Sequence, residues 1–193
     1  MADAPRVLIL AGSNGAGKTT AARNVLADTL RTMTFVNADM IATGLSAFEP
    51  ESVAFAAGRI MLDRMHELAA ERADFAFETT LSARTYATWL RRMQADGYRV
   101  MLFYVWLEDV ELAIRRVAIR VSQGGHNIPE ATIRQRYARS MANFHRLYGP
   151  LVDEWMVYDN SLNGVYRPIA EGGRDAPLKI HDAGLWSQFS REV

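Results

Sequence analysis

Five short apolar runs are spaced along the chain by longer stretches of helical periodicity. Arg6–Ala11, Thr34–Asn37, Asp74–Glu78, Tyr98–Trp106 and Trp155–Tyr158 read as strands. Lys18–Arg31, Pro50–Arg72, Arg84–Asp96, Val110–Gln123 and Glu130–Tyr148 read as helices. This alternation predicts an α/β fold, with a mostly parallel five-stranded sheet flanked by helices. Ligands of such sheets sit beyond the carboxyl ends of the strands. Asn37, Asp39, Glu78 and Glu108 all fall at or just past those ends. After Asn160 the texture changes. Val165–Ala170, a Gly172-Gly173 turn and Leu178–Ile180 predict a small C-terminal hairpin over about residues 164–181, followed by a short helix at Leu185–Arg191. The last ~35 residues are too few for a core of their own, so 1–193 reads as one domain.

The connection after the first strand carries the chemistry. Gly12-Ser13-Asn14-Gly15-Ala16-Gly17-Lys18-Thr19 matches G-x-x-x-x-G-K-[ST], and it lies between an apolar strand and a helix, which is the setting this phosphate-binding loop requires. Its glycines let backbone N–H groups close around phosphate oxygens, and the helix behind adds its positive end. Lys18 is expected to reach the outer phosphates of ATP, and the hydroxyl of Thr19 to ligate Mg²⁺. The loop from Gly12 to Thr20 is the expected nucleotide site, in a P-loop NTPase or kinase fold.

Composition narrows the class. The formal net charge is zero, so no overall field draws the chain to nucleic acid or to a membrane surface. There are no cysteines, which excludes disulfides and thiolate metal sites. No apolar run approaches membrane-spanning length, and none reads as a signal peptide; a cytoplasmic enzyme is the expectation. The four scattered histidines outline no metal cage.

Phosphoryl transfer asks the protein for charge neutralisation, alignment and a carboxylate to take the acceptor's proton. Asp39 is the first candidate for that base; the same residue also fits as the N-cap of a helix beginning near Met40-Ile41. Glu78 ends an apolar strand on the phosphate side. It fits a carboxylate that organises the metal, a hydrogen-bond partner of the substrate, or a cap on Ser82-Ala83-Arg84. Glu108 and Asp109 fit helix N-terminal chemistry and read as structural.

Between Arg115 and Arg146 there are seven arginines and one acid, Glu130. Val110, Ile114, Val117 and Val121 make one helical face, with Arg116 and Arg120 away from it. A Gly-rich break, Gln123–Pro129, separates the two helices. The segment from about 110 to 148 reads as an arginine-bearing helical lid over the triphosphate, which would neutralise charge and exclude water. A solvated basic face and a weak RNA contact are the alternatives. His126, at the tip, reads as an exposed loop residue. Arg167 and Arg174 of the hairpin are candidates for a wall of the adenine slot.

The ordered set of motifs resembles the zeta-toxin family of P-loop kinases over about residues 5–165. The set comprises Ala11–Thr20, Phe35-Val36-Asn37-Ala38-Asp39, Phe77-Glu78-Thr79-Thr80-Leu81-Ser82, Arg116–Pro129 and Tyr158-Asp159-Asn160-Ser161. The resemblance implies ATP- and Mg²⁺-dependent phosphorylation of a hydroxyl on a small molecule, UDP-N-acetylglucosamine in the better-known toxins. It implies Lys18 and Thr19 as ATP and Mg²⁺ ligands, Asp39 as catalytic base, and Glu78, with Thr79 and Thr80 beside it, as a substrate contact. It also implies Arg120 and either Arg134 or Arg136 as phosphate-binding arginines. A separate antitoxin is the implied protein partner. An ATP-binding switch with slow hydrolysis and no acceptor is the alternative function, and Asp39 discriminates between the two.

Overall fold

The computed structural model describes residues 4–24, 28, 33–125, 127–162, 164–174 and 176–191. The strands are β1 (Arg6–Ala11), β2 (Thr34–Val36), β3 (Phe75–Thr79), β4 (Arg99–Trp106), β5 (Glu154–Asp159), β6 (Arg167–Gly172) and β7 (Lys179–Ile180). The helices are α1 (Lys18–Asn24), α2 (Ala38–Leu45), α3 (Ala54–Ala70), α4 (Thr85–Ala95), α5 (Val110–Ser122), α6 (Glu130–Asn143) and α7 (Ala183–Arg191). A 3₁₀ turn at Pro50–Val53 precedes α3, and a π turn at Phe144–Tyr148 follows α6. The predicted helix Lys18–Arg31 is seen to Asn24; most of its remainder, like His126, lies outside the described residues.

One sheet runs through the molecule in the order β2-β3-β1-β4-β5-β6-β7. The five predicted strands are its parallel part. The C-terminal hairpin is no appendage: β6 pairs antiparallel with β5, and β7 with β6, so the sheet has seven strands. Central strands of a parallel sheet are covered on both faces and become apolar throughout. From Val7 to Ala11 every residue of β1 is buried. Because β1 to β5 all point one way, the phosphate loop, Asn37, Glu78 and Asn160 arrive at the same edge.

The last helix completes the core. Phe189 on α7 is fully buried against Tyr104, Trp106 and Phe144. His145 stacks 4.6 Å from Phe189, and its Nε2 lies 3.1 Å from the Phe189 carbonyl oxygen. Burial pushes the His145 pKa below its ordinary 6.5, opposed by that backbone bond. The folded state therefore favours the neutral ring, while the unfolded chain takes a proton near pH 6.5. The resulting stability is intact above pH 6.5 and is lost as pH falls through the lower folded value. The melting temperature should drop on acidification below pH 6.5, and His145→Gln should flatten that slope. An unchanged slope in the variant would assign the acid sensitivity to other groups.

The segment expected as a lid is docked rather than free-standing. On α6, Ile133, Tyr137, Ser140 and Met141 are buried. The Tyr137 hydroxyl donates to the Leu107 carbonyl at 2.6 Å, and the Tyr104 and Ser140 hydroxyls lie 2.7 Å apart. The tip between α5 and α6 rests on the 3₁₀ turn, where Asn127 N–H donates to Glu51 at 2.9 Å.

Candidate active site

The loop between β1 and α1 has the backbone that a phosphate cradle needs. Gly12 takes φ +143°, and a Cβ there would meet the Val105 carbonyl oxygen at 2.3 Å. Only glycine fits a position that is both left-handed and this close to the neighbouring strand. Gly17 takes φ +88°, and a Cβ would meet Asn160 Nδ2 at 2.5 Å. That amide braces the loop from behind, donating to the Ala16 carbonyl at 2.8 Å. The Tyr166 hydroxyl donates to the Gly17 carbonyl at 2.7 Å. Arg116 holds the brace in turn, donating to the carbonyls of Asn160 (2.8 Å) and Ser161 (3.2 Å). Asn160, Tyr166 and Arg116 were not among the residues expected at the site. Asn160 carried a signal in its place just past β5, whereas a tyrosine supporting a loop through backbone contacts leaves none.

Glu78 closes the front. Its carboxylate accepts from Thr19 Oγ1 at 3.0 Å and from Asn37 Nδ2 at 2.8 Å, and lies 3.6 Å from Lys18 Nζ. Lys18 itself donates to the Ser13 carbonyl at 3.0 Å and is 7% exposed. Glu78 therefore does not cap the turn at 82–84. It sits on the two side chains assigned to the triphosphate and the metal. Ser13 Oγ is buried with no hydrogen-bond partner among the described residues. An orphaned hydroxyl, a retained ammonium and a glycine cradle together fit a bound triphosphate.

Asp39 is not the helix cap either. Asn37 takes that role, its Oδ1 accepting from Met40 N–H at 3.1 Å, which puts Asp39 in the first turn of α2. The Asp39 carboxylate has no partner among the described residues. It lines a cavity of about 490 Å³ that Lys18, Asn14 and Arg136 also line. Phe55 and Leu62 from α3, Tyr86 from α4 and Ile128 from the tip contribute apolar lining. Arg59, also on α3, adds a cation without a partner among the described residues. Sequence reading found the helix that carries Phe55, Arg59 and Leu62 but not its cleft-facing side.

Thr79 and Thr80 line the same cavity. The turn they begin is strained: buried Leu81 takes φ +60°. Such a conformation in a leucine persists only where its surroundings over-determine it. Here Thr79 Oγ1 accepts from Leu81 N–H at 3.1 Å, and Asn143 Nδ2 donates to the carbonyls of Leu81 (2.9 Å) and Ser82 (3.1 Å). The Tyr148 hydroxyl, its pKa raised to about 12 by burial, donates to Ala83 at 2.6 Å.

The arginines separate. Arg136 Nη1 lies 3.4 Å from Asn14 Oδ1, at the mouth of the phosphate loop. Arg134, expected as an alternative phosphate ligand, instead bridges Glu111 (2.5 Å) and Glu130 (2.6 Å), tying α5 to α6. These carboxylates hold its guanidinium firmly protonated. Arg120 does not line the cavity; it lies in the last turn of α5, packed by Gly125. Arg174 pairs with Asp153 ahead of β5, at the wrong end of the sheet for an adenine wall, while Arg167 pairs with the buried Asp159.

The family model for zeta toxins matches residues 2–168. The chain belongs to the zeta toxin family. An uncharacterized protein of Haemophilus influenzae is 28% identical over 132 residues, which cover 68% of this chain and 92% of that protein. Among solved structures, the AvrRxo1-ORF1:AvrRxo1-ORF2 complex with sulphate ions superposes with a TM-score of 0.79 at 15% identity, over 97% of this chain. The chain spans 64% of the AvrRxo1 chain it matches. The PezAT toxin-antitoxin system of Streptococcus pneumoniae gives a TM-score of 0.62 at 16% identity, over 82% of this chain and 69% of that one. These likenesses show the fold, the helix-flanked, mostly parallel sheet of P-loop kinases. No helix among the described residues is long and apolar enough to cross a membrane.

Proposed function

We propose that this zeta toxin family member is an ATP- and Mg²⁺-dependent kinase that phosphorylates a hydroxyl group of a small molecule. The observation that carries the reading is that Asp39, whose carboxylate has no partner among the described residues, lines one cleft together with Lys18 and Arg136. A switch protein has no use for such a carboxylate, whereas a kinase needs one beside the acceptor.

Lys18 and the loop from Gly12 to Thr20 would hold the triphosphate, and Thr19 would hold the metal, with Glu78 beside it. Bound Mg²⁺-ATP supplies the γ-phosphoryl group. Asp39 takes the proton of the acceptor hydroxyl, and Lys18 and Arg136 neutralise charge on the phosphoryl oxygens. Tyr86 and buried Ile128 would limit the access of water, which reduces wasteful hydrolysis. Thr79 and Thr80 offer hydroxyls to the acceptor. Arg59 favours an acceptor with an anionic portion, and UDP-N-acetylglucosamine supplies a diphosphate. Such an enzyme works where ATP is plentiful, in the cytoplasm. A separate antitoxin is the proposed protein partner, in keeping with the described toxin-antitoxin nature of PezAT.

Mass spectrometry of the protein incubated with Mg²⁺-ATP and UDP-N-acetylglucosamine tests the reading. The expected product is heavier by one phosphoryl group and is absent with Asp39→Asn. ATP binding without transfer to this acceptor, to other nucleotide sugars or to dinucleotides would overturn it.

A further inference from the structure

A second cavity, of about 530 Å³, opens at the other end of the sheet. Its walls are the C-terminal end of α4, the π turn after α6, the segment leading into β5 and the loop after β6. Parallel strands of six to eight residues, rising about 3.3 Å each, separate it from the phosphate loop by about 20 Å. No described residue lines both cavities.

Three arginines line it, Arg91, Arg146 and Arg174, with no carboxylate among the described lining residues. The site has built-in order. Arg174 Nη2 is held 2.8 Å from Asp153 Oδ1, while the other oxygen of Asp153 accepts from Val100 N–H at 2.8 Å. Arg174 N–H donates to the Val152 carbonyl at 2.9 Å. Gln94 Nε2 donates to the Leu151 carbonyl at 3.0 Å, which fixes its amide at the rim. Arg146 is delivered by the π turn Phe144–Tyr148, a rare geometry that re-aims side chains and is frequent at functional sites. Arg91 and Arg146 have no ion-pair or hydrogen-bond partner among the described residues.

Two guanidinium groups without a partner among the described residues, Arg91 and Arg146, thus flank a third that is already engaged, around a concave space. Crowded like charges destabilise one another, and an anion relieves that cost. Guanidinium forks match phosphate oxygens in bidentate fashion. The volume exceeds what one phosphate fills and lies in the range of small-molecule sites, about 300–1,000 Å³. We infer that this cavity is a second ligand site, separate from the phosphate loop, for a small phosphorylated metabolite with two or more anionic groups. The inference stands independently of the kinase reading, because it uses none of the cleft's residues.

Inorganic pyrophosphate without metal is the probe, titrated calorimetrically into the Lys18→Ala protein to weaken binding at the phosphate loop. Saturable binding is expected, with amide chemical-shift changes centred on Arg91, Gln94 and Arg174 rather than on residues 12–20. Adding Arg91→Gln and Arg146→Gln should weaken it by about tenfold per arginine, the worth of one charge-assisted hydrogen bond. Both side chains are exposed, so a melting temperature close to that of the parent shows the fold intact. Shifts confined to residues 12–20, no binding to the Lys18→Ala protein, or affinity indifferent to both arginines would each overturn the assignment.

Discussion

The Asp39→Asn substitution should lower phosphoryl transfer by about 10²–10⁴-fold and leave ATP affinity and melting temperature where they were. The magnitude is that of a positioned general base. The selectivity comes from the structure. Asn37 caps α2, so changing Asp39 removes no helix cap. The Asp39 carboxylate has no partner among the described residues to lose, and the side chains proposed for the triphosphate belong to a different loop. Turnover and nucleotide binding, measured on the same preparation, read the two effects separately. A variant that turned over at the parent rate would remove Asp39 from the chemistry. One that melted several degrees lower would mean that the residue holds the fold after all.

Next in size is the split between two arginines only two positions apart. Arg136→Ala should cost about 10³-fold in turnover, the lower end of what an arginine on a transferring phosphoryl group supplies. Arg134→Ala should change turnover little, because its guanidinium is committed to Glu111 and Glu130 on the exposed side of α5 and α6. Parallel kinetics on the two variants make the comparison. Equal losses would show that Arg134 leaves its carboxylates when ATP binds, so that the free protein is the wrong guide to the lid.

The sequence signalled the phosphate loop strongly because that loop is local. Its glycines, lysine and threonine are contiguous, and the reason for them is backbone conformation. The parallel strands were legible for a similar reason, as buried apolar runs. What escaped was made of distant contacts. The 3₁₀ start of α3 and the π end of α6 are departures in hydrogen-bond register that periodicity does not register. The hairpin was visible, but its pairing to β5 was not. Arg134 and Arg136 look alike in sequence, and what separates their surroundings is Glu111, more than twenty residues away from Arg134. Asp39 looked ambiguous until the cap proved to be its neighbour at 37, since both residue types suit a helix N-terminus.

Helix α6 reaches both halves of the cleft. Arg136 faces the phosphate loop, and Asn143, two turns further on, holds the strained strand-end turn at Leu81 and Ser82. Seven residues at about 1.5 Å each make a rigid spacer of roughly 10 Å, with both side chains on one face. In the proposed reaction, donor and acceptor would therefore be gauged against a single ruler rather than against two parts that must find each other at every turnover. In evolutionary terms, drift on the outer face of α6 is cheap. A one-residue insertion between 136 and 143 would rotate the two marks apart by about 100° and misalign the reaction while leaving each half of the site intact.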